Sequence, residues 1–222
     1  MKRLIVLLLL LMTSFSSHSK ERNKGSISLS MGPLSGRLEY KDNTLSSGSI
    51  DQKFSGTRFG VKIINTRKNN LLTGFGSSYS ELTGVKTLLD YGFNSTYGNV
   101  YIYGTIQSVR IISHYSIMGY NLSFDDDFIF YPNIQLGIRN LSTTLELSVE
   151  TESAGDLSGR EIYSINTIEY SINIPIKIMF NNSIGMGFNY AINGPDFYIS
   201  KNGEEVSGEI DNSFNIFISY TP

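Results

Sequence analysis

The sequence predicts an all-β fold, an antiparallel up-and-down β-barrel that spans a membrane. Three observations carry that prediction. Long segments alternate apolar and polar residues with period two, as a strand with one greasy and one wet side requires. The N-terminus has the form of an export signal. Beyond it no apolar run approaches the 18 residues at which a spanning helix is considered, so strands are the elements left to cross a bilayer.

The first element is the processing segment, residues 1–19. Lys2 and Arg3 give a charged start, Leu4 to Met12 are unbroken apolar residues, and Ser17-His18-Ser19 offers small residues at the two positions a signal peptidase inspects. The apolar run is too short for a spanning helix, which needs about 20 residues. The expected mature chain, residues 20–222, is one barrel domain.

Residues 26–40 and 57–66 form the N-terminal pair. The first bends near Gly32-Pro33, and the second carries Phe59, Val61 and Ile63 on one face. Residues 71–95 hold a weak interruption at 81–86, and residues 100–124 contain no convincing turn. Residues 128–150 place Ile134, Leu136 and Ile138 on one face, then Leu141, Thr143, Leu145, Leu147 and Val149 on the other. That change of parity near Asn140 predicts a β-bulge or a tight turn. Residues 162–180 alternate most cleanly, with Ile168, Tyr170, Ile172, Ile174, Ile176, Ile178 and Phe180 against Glu169, Ser171, Asn173, Pro175, Lys177 and Met179. Residues 183–199 begin with Ile184, Met186, Phe188, Tyr190 and Ile192 opposite Gly185, Gly187, Asn189 and Ala191. Residues 211–220 close the series with Phe214, Ile216, Ile218 and Tyr220.

Counting each long segment once gives eight strands; folding the two middle segments into hairpins gives ten or twelve. Even counts are the rule for bacterial barrels, and eight tall strands suit this length, with ten as the alternative. Short polar breaks at Arg67-Lys68-Asn69-Asn70, Asp125-Asp126-Asp127 and Asn181-Asn182 alternate with longer Gly/Ser-rich stretches at residues 41–55, 151–160 and 200–208. One trimmed rim and one elaborated rim are expected, the longer stretches facing outside.

Composition restricts the chemistry. Removing Lys2 and Arg3 leaves 16 basic against 20 acidic side chains, a net charge of −4, which argues against nucleic acid as a partner. No cysteine is present, so there is no disulfide, thiolate metal site, cysteine nucleophile or lipoprotein anchor. With no Trp, the 14 Tyr and 13 Phe must supply any aromatic belt.

Alternation does not say which face is inside, since a lipocalin-like soluble barrel would turn the apolar face inward. The polar face here is mostly Ser, Asn, Gly and Thr, and only 17% of the chain is charged, fewer charges than a soluble exterior carries. The charges assigned to that face are Arg37, Glu39, Arg58, Lys62, Asp90, Arg110, Glu146, Glu150, Glu169 and Lys177, five basic and five acidic. A balanced set across a narrow lumen is expected to pair and neutralise, because an unpaired charge there costs several kcal/mol.

The signal, the alternating strands, the short turns and the last strand from Ser213 to Tyr220 together resemble the small bacterial outer-membrane β-barrel families, the OmpA barrel domain and the OmpX, Ail and OmpW kinds. The resemblance covers the whole mature chain and implies architecture. It also implies an outer-membrane location, contact with outer-membrane lipid and lipopolysaccharide, and insertion by the barrel assembly machinery. Phe214, Ile216, Ile218 and Tyr220 would be the assembly signal, with Tyr220 as the terminal aromatic and Thr221-Pro222 following it.

His114 is the only histidine expected in the mature chain, so no multi-histidine metal site is expected, and no cofactor. His114-Tyr115-Ser116 resembles the His-x-Ser of the lipid A 3-O-deacylases of the PagL family, which implies a Ser-His-acid hydrolase facing lipid. The surrounding residues depart from that family, since Ile117-Met118-Gly119 follows the pair and the nearby acids are Asp125, Asp126 and Asp127. A lone histidine near mid-strand is more often structural. The leading expectation is therefore a non-enzymatic envelope barrel with a lumen filled by side chains. The alternatives are a narrow channel, if the strands number ten or more, and the lipid A hydrolase.

Overall fold

The protein is described as a computed structural model. It covers residues 24–42, 49–67, 69–83, 86–94, 96, 98–122, 127–151, 157–194, 196–201 and 204–222; the expected signal, residues 1–19, lies outside them. Twelve strand segments follow in chain order: β1 (Lys24–Asp42), β2 (Ser49–Thr66), β3 (Leu71–Thr83), β4 (Lys86–Asn94), β5 (Gly98–Tyr120), β6 (Phe128–Phe130), β7 (Asn133–Thr151), β8 (Leu157–Met179), β9 (Ile184–Gly194), β10 (Phe197–Lys201), β11 (Glu204–Ile210) and β12 (Ser213–Tyr220).

These segments join into eight staves. β3 passes into β4 in one register against β5, Leu82 opposite Val109 and Lys86 opposite Thr105, and the register then shifts by one residue between Leu88 and Asp90. β6 and β7 keep one register against β8, Phe130 opposite Ile176 and Asn133 opposite Asn173. They are separated by Tyr131-Pro132, where a residue without an N–H interrupts the ladder. β9–β10 runs against β12–β11 with a one-residue slip at Asp211-Asn212. β1 pairs with β2 on one side and with β12 and β11 on the other, which closes the ring. Pro33 lies where the pairing of β1 passes from β12 to β11, a place that tolerates a missing donor. The wall is therefore an eight-stave antiparallel meander, as expected, and both uncertain middle segments are single staves.

The short connections share one end. In the turn after β2, Asn70 adopts a φ of 62° and donates its N–H to the Arg67 carbonyl at 2.9 Å. Asn181 Oδ1 accepts the N–H groups of Ser183 (2.9 Å) and Ile184 (2.7 Å), an Asx turn. Thr221 N–H bonds to the Ser183 carbonyl there too. At the other end the stretches expected as loops are largely hairpin arms: Lys41 pairs with Ser49, Val149 with Leu157 and Lys201 with Glu204.

The predicted bulge or turn at Asn140 is absent. The β7–β8 register runs unbroken from Asn133 opposite Asn173 to Val149 opposite Leu157. What changes at Asn140 is the side of the strand that is apolar. Below it Ile134, Leu136 and Ile138 point outward and are 57–59% exposed; above it Leu141 points inward and is 0% exposed. β1 does the same. Leu29 and Met31 are exposed outside, whereas Leu34, Leu38 and Tyr40 are buried inside. Register shifts do occur, but elsewhere, in β5 between Ile106 and Ser108 and in β4 between Leu88 and Asp90.

This inversion divides the molecule into two storeys. Near the short turns the eight staves are paired all round and the apolar residues face out. Near the long hairpins, among the described residues, the tip of β2 pairs only with β1, β4 only with β5, the upper part of β8 only with β7, and β10 only with β11. Two four-stave sheets result, β10-β11-β1-β2 and β4-β5-β7-β8. Between them lies an apolar core that includes Leu34, Leu38, Phe54, Val109, Leu141 and Tyr163. The Tyr40 and Tyr163 rings meet across it at 6.3 Å. Polar residues take most of the outer face there, with Ile162 and Tyr198 exposed among them.

Candidate functional site

The lumen is layered. The apolar core of the two sheets forms its upper layer. A lower apolar layer joins Ile64, Leu72, Tyr115, Ile117, Tyr131 and Phe217, with Ile129 against it. Between them lies a polar layer. Asn189 donates to Asn173 Oδ1 and Asn173 to Ser171 Oγ, both at 2.8 Å, and Gln135 donates to Asn133 Oδ1 at 3.3 Å. Arg139 Nε and Ser113 Oγ both donate to Glu169 Oε2, at 3.0 Å each. The side chains of this ion pair are only 2% (Arg139) and 12% (Glu169) exposed. Arg58 and Lys62 line a small cavity in the same layer with Ser30, Ser78, Gln135 and Glu169. Lys62 Nζ sits 5.9 Å from the centroid of the Tyr115 ring. Below the lower apolar layer a wider mouth of about 360 Å³ opens at the short-turn end, lined by Asp127, Lys177, Asn181 and Asn182 among others.

Of the ten charges expected in the lumen, Arg58, Lys62, Glu169 and Lys177 are on the inside, Lys177 reaching the lower mouth. Five are not. Arg37, Glu39 and Arg110 lie on the outer face, as do Glu146 and Glu150 by the alternation of β7. The reason is the inversion: assigning charges to the side opposite the apolar residues puts them outside wherever the apolar side faces in. Outside, Arg37 pairs with Asp51, Lys41 with Glu39 (3.1 Å) and Arg110 with Glu81 (3.5 Å), while Gln107 donates to Glu146. Asp90 pairs with Ile102 through its backbone; its side chain is not among those described. Arg139 was missed, although it alternates with Gln135 and Gly137 on the polar side of Ile134, Leu136 and Ile138. The assumed break at Asn140 hid it. Among the described side chains the interior is therefore unbalanced rather than neutral.

His114 and Ser116 face outward in the apolar belt. His114 stands between Ser77 and Ile138, and Ser116 between Phe75 and Leu136. None of these neighbours is acidic. Asp127 lies beyond the far end of β5, and the six residues from His114 to Tyr120 alone span about 20 Å. The pair thus has no carboxylate partner among the described residues. No group of three or more metal-binding side chains occurs among them either. Phe214, Ile216 and Ile218 are exposed on the outer face, 48–55%, and Tyr220 is half-buried beside Ile27.

No protein-family description matches the chain, and no curated protein does. Among solved structures it is similar to the outer membrane protein OprG from Pseudomonas aeruginosa, with a TM-score of 0.54 at 11% identity over 90% of this chain and 97% of that one. Neisserial surface protein A superposes with a TM-score of 0.41 at 14% identity (91% and 100% of the two chains), and Ail of Yersinia pestis with 0.40 at 13% (90% and 99%). The likeness to OprG extends over nearly the whole of both chains, and the fold is that of a small outer-membrane β-barrel.

Proposed function

We propose that this chain is an integral protein of a bacterial outer membrane. In this reading it is a sealed barrel that lifts a two-sheet head above the lipid and acts as an envelope component through that head. The observation supporting this is the exposed apolar belt around the lower storey, wrapped about a polar and charged interior. Its height is right: Ile168 to Ile178 on β8 spans about 33 Å along the strand, or about 25 Å at a tilt of about 40°. Above Asn140 and Thr57 the outer face turns polar, and the Arg37, Lys41 and Arg110 ion pairs lie in water. The short turns would face the periplasm and the hairpins the outside. Lipid and lipopolysaccharide would surround the belt, and the assembly machinery would receive the last strand.

The chain has no Trp, which allows a clean test. Leu136→Trp and Ser55→Trp are reconstituted in vesicles containing brominated lipid. Strong quenching at position 136 and little at 55 is expected; equal quenching at both overturns the membrane placement. The two apolar layers close the lumen, so purified protein in a planar bilayer should show no sizeable steady conductance steps, and such steps would rule out the seal. The reading is non-enzymatic. Ser116→Ala should leave the acyl pattern of lipid A, measured by mass spectrometry, the same as wild type does; a difference would revive the hydrolase.

A further inference from the structure

We propose that the polar layer of the lumen holds one small inorganic anion, of halide size, in the cavity lined by Arg58 and Lys62. Three cationic side chains share this layer with a single described carboxylate, Glu169. Lysine can shed its proton when buried, but guanidinium cannot. Two permanent positive charges therefore face one negative charge, and that carboxylate is already engaged by Arg139 and Ser113. Arg58 Nε and Arg139 Nη1 are buried donors without a hydrogen bond to any described residue. Arg58 lies within electrostatic reach of both Glu169 and Arg139, and Lys62 within reach of Arg58.

A buried charge without a partner costs several kcal/mol, whereas a small anion accepting from Arg58 would supply both the missing charge and the acceptor that its Nε lacks. Size limits the class. The cavity beside Arg58 and Lys62 measures about 30 Å³, room for two waters or one halide and too little for a sugar acid or a nucleotide. The apolar layers above and below make the ion part of the fold rather than a passing solute. The inference rests on the sealed-barrel reading, yet the two fail separately: steady conductance sinks the seal, and halide-independence sinks the site.

The test is refolding of the full mature chain into detergent micelles in sodium bromide or in sodium gluconate at equal ionic strength, followed by urea unfolding in the same salt. A site on the folded state makes the folded-to-unfolded ratio rise about tenfold for each tenfold rise in bromide above its dissociation constant. Wild type should show that rise, with a higher urea midpoint in bromide. Arg58→Met should lose it, while general salt effects remain common to both proteins. Glu169→Gln, which adds to the charge excess, should begin that rise at a lower bromide concentration than wild type even if its midpoints are lower. Crystals grown from bromide-refolded protein should give an anomalous peak in the cavity beside Arg58 and Lys62. Equal bromide dependence in wild type and Arg58→Met, or no anomalous peak in the lumen, overturns the proposal.

Discussion

Glu169 Oε2 receives Arg139 Nε and Ser113 Oγ at the same distance, 3.0 Å, deep in the barrel wall's interior. Breaking a buried pair strands one charge, which costs about 3–5 kcal/mol, although replacing both partners by apolar residues of similar volume is often neutral. Arg139→Met is therefore expected to lower stability by about 3–5 kcal/mol in urea unfolding, and Arg139→Met with Glu169→Leu to recover most of it. Equal losses in the single and double variants would show that volume, not charge, dominates. The exposed Arg37–Asp51 pair behaves differently. Its hydrogen bond and charge hold the Asp51 carboxyl below the ordinary 3.8. A depressed pKa contributes stability above the unfolded value and loses it as pH falls through the folded one. Being fully exposed and screened, this pair is a marker of geometry more than of stability. Carboxyl NMR should find Asp51 titrating below 3.8, and Arg37→Gln should return it to the ordinary range.

Strand by strand, the same alternation serves two solvents. β8, β9 and β12 carry long apolar outer faces, and their elements and orientation were legible in the sequence because one parity holds through the belt. In β1, β2 and β7 the apolar parity reverses where the strand leaves the belt, while the backbone keeps its register. Leu34 and Leu38 are apolar because they face a core, Leu29 and Met31 because they face lipid, and period two alone cannot tell these apart. That is why Arg37, Glu39 and Glu146 were assigned to the wrong wall, why Asn140 resembled a turn, and why Arg139 went unseen. The pairing of inner and outer storeys depends on neighbours across the ring, which one strand's sequence does not contain. A lysine scan separates the two environments. Leu136→Lys should cost about 2–4 kcal/mol in lipid-bilayer unfolding, whereas Ser55→Lys, on the outer face of the head, should stay within about 0.5 kcal/mol. Gly76 supplies a packing test on β3. A Cβ there would sit 2.6 Å from the Tyr115 ring, which lies over it. Gly76→Val should therefore destabilise by about 1–3 kcal/mol through overpacking, and Gly76→Val with Tyr115→Ala should relieve part of that cost.

For the molecule as a whole, closure of the ring satisfies the lower storey's backbone groups within the protein, which is what permits it to sit in hydrocarbon. Unboiled protein in detergent should migrate differently from boiled protein on a gel, and identical mobility would count against a stable closed barrel. The contact that completes the ring is Ile27 opposite Tyr220, between the first strand and the last. Those residues stand nearly a full chain length apart, and loop closure over such a span is entropically unfavourable until the intervening hairpins exist. Each hairpin can zip locally, but the seam must wait for the final stave. Until then any partly assembled intermediate carries two bare edges, open to pairing with a neighbouring copy. Docking of the two ends is thus the step expected to be slow and vulnerable in folding. A deletion confined to Ser213–Tyr220 would strand the chain in that state, with most of its hairpins built and no cylinder.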